Sequence, residues 1–119
     1  MGQPVTAWQI VTRQPDKLQA FYTALFGWEI NADNAMGYRV VDTGSERGID
    51  GGIWPAPPEA HDFIQVFVEV DDVTATAKRV VELGGKVIVP PQKLPDGDEM
   101  AVLHDPAGIP FGLKRTTKD

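Results

Sequence analysis

The side chains able to do chemistry are few and dispersed. The chain has two histidines and no cysteine, which removes thiolate nucleophiles, disulfides and zinc sites of the cysteine kind. His61 follows Pro57-Pro58-Glu59, a setting for an exposed side chain, and His104 stands beside Asp105, where an ion pair or a turn hydrogen bond accounts for it. No Ser/His/Asp order, P-loop or dinucleotide fingerprint is present. The glycines between Gly48 and Gly52 lead into Pro55 instead of a helix, so they cannot open a phosphate-binding turn. What remains is a set of amides and rings. Gln9 and Gln65 are candidate hydrogen-bonding groups, and Trp54 and Phe67 candidate apolar walls, for a small-molecule ligand. No catalytic residue is assigned.

The elements that must carry these residues come in a repeated order. Val5 to Thr12 alternates as a strand, and Pro15-Asp16 opens a helix. Leu18, Phe21, Tyr22, Leu25 and Phe26 then recur at the spacing of one buried helical face, which Gly27 ends. Three short strands are predicted after it, over Trp28–Ala32, Tyr38–Asp42 and Ile49–Trp54, separated by turn-rich segments over 31–37 and 43–48. Pro55-Ala-Pro-Pro58 closes the run as a connector. The order then repeats: a strand over Phe63–Val70, a helix capped by Asp71 or Asp72 with Val73, Ala77, Val80 and Val81 inward, and a stop at Gly84-Gly85. Strands follow over Lys86–Val89, Glu99–His104 and Ile109–Lys114, with Pro90-Pro91 as punctuation. The halves superpose at a period of about 57 to 60 residues. Module one is thus 5–54, the linker 55–62 and module two 63–114, all within one domain, 1–119.

Composition narrows the function classes. At 42% hydrophobic and 24% charged residues, with every apolar stretch interrupted, the chain reads as globular. Nothing approaches the roughly 20 apolar residues that span a bilayer, and Met1 to Gln9 is no secretory signal. A cytoplasmic location is expected. The net charge is −6 and the eleven basic residues are scattered, whereas a phosphate-backbone binder needs a concentrated basic face. Neither nucleic acid nor a membrane is an expected partner.

Five segments carry a family resemblance. Phe21-Tyr-Thr-Ala-Leu-Phe-Gly-Trp28, Gly51-Gly52-Ile53, Val68-Glu-Val-Asp-Asp-Val73, Glu82-Leu-Gly-Gly-Lys-Val87 and Asp105-Pro-Ala-Gly-Ile-Pro-Phe-Gly-Leu113 resemble the vicinal-oxygen-chelate superfamily. That superfamily includes glyoxalase I, bleomycin-resistance proteins and extradiol dioxygenases. The resemblance implies an α+β fold of two βαβββ modules, whose curled mixed sheets form a shared cup, and a homodimer. In the superfamily's enzymes the cup holds a divalent metal that chelates neighbouring substrate oxygens.

The resemblance also locates the four metal-ligand positions, one on the first and one on the last strand of each module. Here they fall on Ala7, Gly52, Gln65 and Gly112. Three have no donor atom, so no metal or other cofactor is expected. Strand alternation sets Trp8 and Ile10, like Val66, Val68 and Val70, towards the helices. The opposite faces carry Ala7, Gln9 and Val11, and Gln65, Phe67 and Glu69, with Trp54 and Lys114 at matching parity. The expected function is that of a glyoxalase-like protein of unassigned activity that binds a small molecule without metal. Two alternatives stand beside it: a metal-dependent lyase, isomerase or dioxygenase using Gln65, Glu69 and His104, and a bleomycin-type drug-sequestering resistance protein.

Overall fold

A computed structural model describes residues 2–33, 37–57, 59–94 and 97–115. Asn34, Ala35 and Met36 of the expected first turn, Pro58 of the connector and Lys118 among the scattered basic residues lie outside the described residues. The elements are β1 (Val5–Thr12), α1 (Pro15–Phe26), β2 (Glu29–Asn31), β3 (Arg39–Asp42), β4 (Gly51–Pro55), β5 (Phe63–Glu69), α2 (Val73–Glu82), β6 (Lys86–Lys93), β7 (Glu99–His104) and β8 (Pro110–Arg115). The βαβββ order occurs twice, in an α+β fold. The chain packs as two compact units, one of Ala7–Gln65 and one of Met1–Thr6 with Val66–Asp119.

In the Ala7–Gln65 unit the strand order is β2-β3-β4-β1, with β1 parallel to β4 and the other neighbours antiparallel. Helix α1 stops at Gly27, whose φ of 73° is the left-handed conformation that glycine adopts without a Cβ penalty. The Gly27 N–H donates to the Thr23 carbonyl at 2.9 Å. Arg39 on β3 pairs with Asp16 in the first turn of α1, tying the helix to the sheet.

The buried face expected of α1 is not buried. Phe21, Leu25 and Phe26 are each more than half exposed, and no residue of the helix is fully covered. Amphipathic spacing marks an apolar face but not the width of surface beneath it. Here the Trp28 ring stacks on Tyr22 at 5.2 Å and meets Trp8 at 5.3 Å, and these rings fill the space under the helix. Leu18 and Tyr22 are half-buried, while Phe21 and Leu25 are left on the flank.

In the other unit the order β5-β8-β7-β6 repeats the pattern, with β5 parallel to β8. The Asp72 carboxylate caps α2 by accepting the Ala75 N–H at 2.9 Å. Val70, Val73, Ala77, Ala101, Leu103 and Leu113 form the core, with Val68, Val80, Val87 and Phe111 packed against it. Val66, expected to face the helix, is 43% exposed, and so is much of Val81.

Pro90 and Pro91 do not end their strand. β6 runs through them to Lys93, with register shifts between Val87 and Val89 and between Val89 and Gln92. It is the outermost strand of its unit. An edge strand with bulges tolerates residues that cannot donate to a ladder. Among the described residues no helix is long and apolar enough to cross a membrane.

Candidate functional site

The site is built in the Ala7–Gln65 unit on β1, β4, the start of β5 and the residue that leads into β3. Parallel pairing puts Gln9 opposite Gly52 and Val11 opposite Trp54. Antiparallel pairing puts Val40 opposite Gly52, so Tyr38, two residues earlier, shares that face. Gln9 is 8% exposed and Gln65 4%. Burial at that level requires hydrogen-bond partners. The Gln65 Nε2 donates to Gln9 Oε1 at 2.9 Å. This leaves the Gln9 Nε2 to donate to the Tyr38 hydroxyl, to which Gln9 is hydrogen-bonded. The Tyr38 ring lies 5.5 Å from that of Trp54, tilted by 49°.

The chain Gln65–Gln9–Tyr38 is uncharged along its length. Burial raises the Tyr38 hydroxyl pKa above its ordinary value and outweighs the lowering by the Gln9 bond, so the phenol stays protonated. One end of the chain is unmatched, because Gln65 Oε1 is buried with no hydrogen-bond partner. Turning both amides over would move the mismatch to the Gln65 nitrogen without removing it. A buried acceptor in that state costs about 1–3 kcal/mol. The cluster can donate and accept hydrogen bonds and offer ring faces, but it holds no nucleophile and no imidazole.

A divalent cation does not fit the four positions where the superfamily's enzymes hold one. A Cβ on Gly52 would lie 1.7 Å from the Tyr38 hydroxyl oxygen and 2.1 Å from its Cζ. In the other unit, where Phe67 pairs with Gly112, a Cβ on Gly112 would lie 2.3 Å from the Phe67 ring. Both glycines lack a donor atom and are covered by aromatic side chains where a metal-ligating side chain would begin, and Ala7 has no donor. The atypical set fails too. Glu69 is level with Lys114 and His104 with Pro110, four residues apart along β8 and on opposite sides of it. That is about 13 Å along the strand, plus two strand spacings of about 4.8 Å, too far to share one ion. Among the described residues no three His, Cys, Asp or Glu side chains are grouped to hold a metal.

Gln9 links Gln65 to Tyr38 by hydrogen bonds and Trp54 meets the Tyr38 ring, while the Phe67 ring, 6% exposed, lies over Gly112 in its own unit. His61 is exposed. Asp105 does not serve His104, since its Oδ1 accepts the N–H groups of Ala107 and Ile109, each at 2.9 Å. An open groove of about 880 Å³ along Gln19, Thr23, Trp28, Ile30 and Asp42 contains none of the cluster residues. Sequence reasoning missed Tyr38. Its one available signal was parity, as the first residue of a predicted strand whose partner strand carries Gly52.

The fold and these positions define a two-module βαβββ protein of the vicinal-oxygen-chelate type. The sequence profile of the glyoxalase-like domain matches residues 7–113, and the chain belongs to that family. A Mycobacterium tuberculosis protein provisionally named glyoxylase CFP32 is 34% identical over 110 residues, covering 88% of this chain and 41% of that protein. The anthracycline biosynthesis protein DnrV of Streptomyces peucetius is 32% identical over 117 residues, covering 80% of this chain and 40% of its own length. The chain therefore spans about two fifths of these curated relatives. Among solved structures, a Streptomyces coelicolor methylmalonyl-CoA epimerase superposes with a TM-score of 0.64 at 18% identity, over 98% of this chain and 99% of its own. The hypothetical protein BH1468 of Bacillus halodurans superposes with a TM-score of 0.70 at 14% identity, over 100% and 98%. At these identities the structures establish a shared fold.

Proposed function

We propose that this glyoxalase-like protein binds a small organic molecule at the Gln9–Gln65–Tyr38–Trp54 cluster, without a metal. The observation that carries this reading is the buried, unmatched Oε1 of Gln65 at the end of an otherwise satisfied hydrogen-bond chain. Half-satisfied buried networks are costly, and a ligand group reaching Gln65 Oε1 would complete this one. The Trp54 and Tyr38 rings supply the apolar surface of such a site. A relative named for anthracycline biosynthesis supports an organic ligand over a purely structural cluster.

Calorimetric titration of purified protein with organic ligands, beside elemental analysis after dialysis, tests this. Heat of binding that disappears in Gln65→Leu, with no stoichiometric metal, is the expected result. Nickel, zinc, manganese or iron retained at one equivalent would overturn the metal-free part. A cytoplasmic location and a homodimer belong to the same proposal. The exposed Phe21, Leu25 and Phe26 side chains support the homodimer. Cell fractionation and light scattering test the two, and a protein recovered outside the cytoplasm or a monomer at micromolar concentration would refute them.

A further inference from the structure

The two covered glycines differ in one atom that matters. Over Gly112 lies the plain ring of Phe67, and over Gly52 lies the hydroxyl end of Tyr38. Phe67 demonstrates that a ring alone can fill the room above such a glycine. The Tyr38 oxygen is therefore not needed to fill the space, and its role is a polar one. It stands where a side chain at position 52 would begin, takes the Gln9 hydrogen bond, and continues a chain with no formal charge from Gln65 to Trp54.

We propose that Tyr38 contacts the ligand through its hydroxyl, and that the ligand class is uncharged: a flat molecule bearing a neutral hydrogen-bonding group such as an amide, carbonyl or hydroxyl. This rests on the reading of the cluster as a small-molecule site. The physical reason is solvation. Gln9, Gln65, Tyr38 and Trp54 present dipoles and rings but no counter-charge, so an ionised ligand would lose its hydration without compensation. A neutral amide or hydroxyl exchanges water hydrogen bonds for those of Tyr38 and Gln65 at little net cost. The tilted Tyr38–Trp54 ring pair favours a flat body beside that group.

The test uses three probes of one shape, benzamide (neutral), benzoate (anionic) and benzamidine (cationic), titrated into the whole chain and followed by NMR. The signals read are the side-chain amides of Gln9 and Gln65 and the Trp54 indole. Benzamide is expected to shift all three, with each charged probe binding at least about tenfold more weakly, and Tyr38→Phe, which leaves the Gln9 Nε2 without its acceptor, is expected to melt a few degrees lower, stay folded at room temperature and lose about tenfold in benzamide affinity. A charged probe that binds as well as benzamide would overturn the ligand class and leave the small-molecule reading standing. Tyr38→Phe binding benzamide like the wild type would overturn the role of the hydroxyl. No shift from any probe would overturn both the inference and the reading beneath it. Should Tyr38→Phe lose its fold, the same comparison is made with Gln65→Leu, whose unchanged benzamide affinity would refute the site.

Discussion

Tyr38 holds its hydroxyl oxygen 1.7 Å from the point where a Cβ on Gly52 would stand. The tyrosine immediately precedes β3, whose antiparallel neighbour β4 carries the glycine, so a side chain added at position 52 must displace the end of the ring. The same dependence links Phe67 and Gly112, although there the ring comes from the parallel neighbour.

Adding a methyl group at either glycine should therefore destabilise the fold. At Gly112 three atoms of the buried Phe67 ring lie within 2.6 Å of the new Cβ, and the ring body must move. Gly112→Ala is expected to cost about 1–3 kcal/mol in urea denaturation. Gly52→Ala should cost less, because the obstacle is the far end of a side chain that can swing. Gly48, with nothing within 4 Å of its Cβ position, serves as the control. A cost at Gly112 that persists unchanged in a Phe67→Ala background would show that the ring is not its cause.

The order of the hydrogen-bond chain predicts unequal costs for its two amides. Gln9→Leu strands the Gln65 Nε2 and removes the Gln9 bond to the Tyr38 hydroxyl, and should lose about 1–3 kcal/mol. Gln65→Leu removes one satisfied donor together with the oxygen that had no partner, so the two effects offset to within about 1 kcal/mol. Equal destabilisation by the two substitutions would mean that the chain is not ordered this way.

Asp62 makes part of the acid stability. Its carboxylate accepts the hydroxyl of Thr12, which is wholly buried, at 2.8 Å and the Arg13 N–H at 3.1 Å. The Thr12 bond first, then the Arg13 N–H, lower its pKa below the ordinary carboxylate value. A pKa depressed in the folded state means a stabilisation that is complete above the unfolded value of about 3.9 and lost as pH falls through the lower folded one. Asp62→Asn should flatten the slope of stability against pH in that acid window. An unchanged slope in the variant would assign the acid sensitivity elsewhere.

Exposure along α1 predicts a contrast with the α2 core. Phe21→Ser, at a residue 55% exposed, should change monomer stability by less than about 0.5 kcal/mol. Leu103→Ala, at a residue with no exposed surface, should cost about 2–5 kcal/mol. A large loss from Phe21→Ser at low protein concentration would mean that the helix face is covered after all.

Much of this protein was legible along the chain, for a local reason. Pro15, Gly27 and Asp72 act on residues within a turn of themselves, so both helices began and ended close to where capping and left-handed geometry put them. Strand parity is equally local, and it brought Gln9, Gln65 and Trp54 into consideration as one kind of surface. Tertiary structure alone decided the rest. That Tyr38 covers Gly52 depends on a register set across 13 intervening residues, and a slip of one would have turned the ring to the other face. That Pro90 and Pro91 stay inside a strand depends on β6 being an edge, which no short window reveals. That Phe21 and Leu25 remain uncovered depends on how Trp8 and Trp28 fill the space beneath α1. Local chemistry determines where an element starts and which side is apolar; what lies against that side is a property of distant residues.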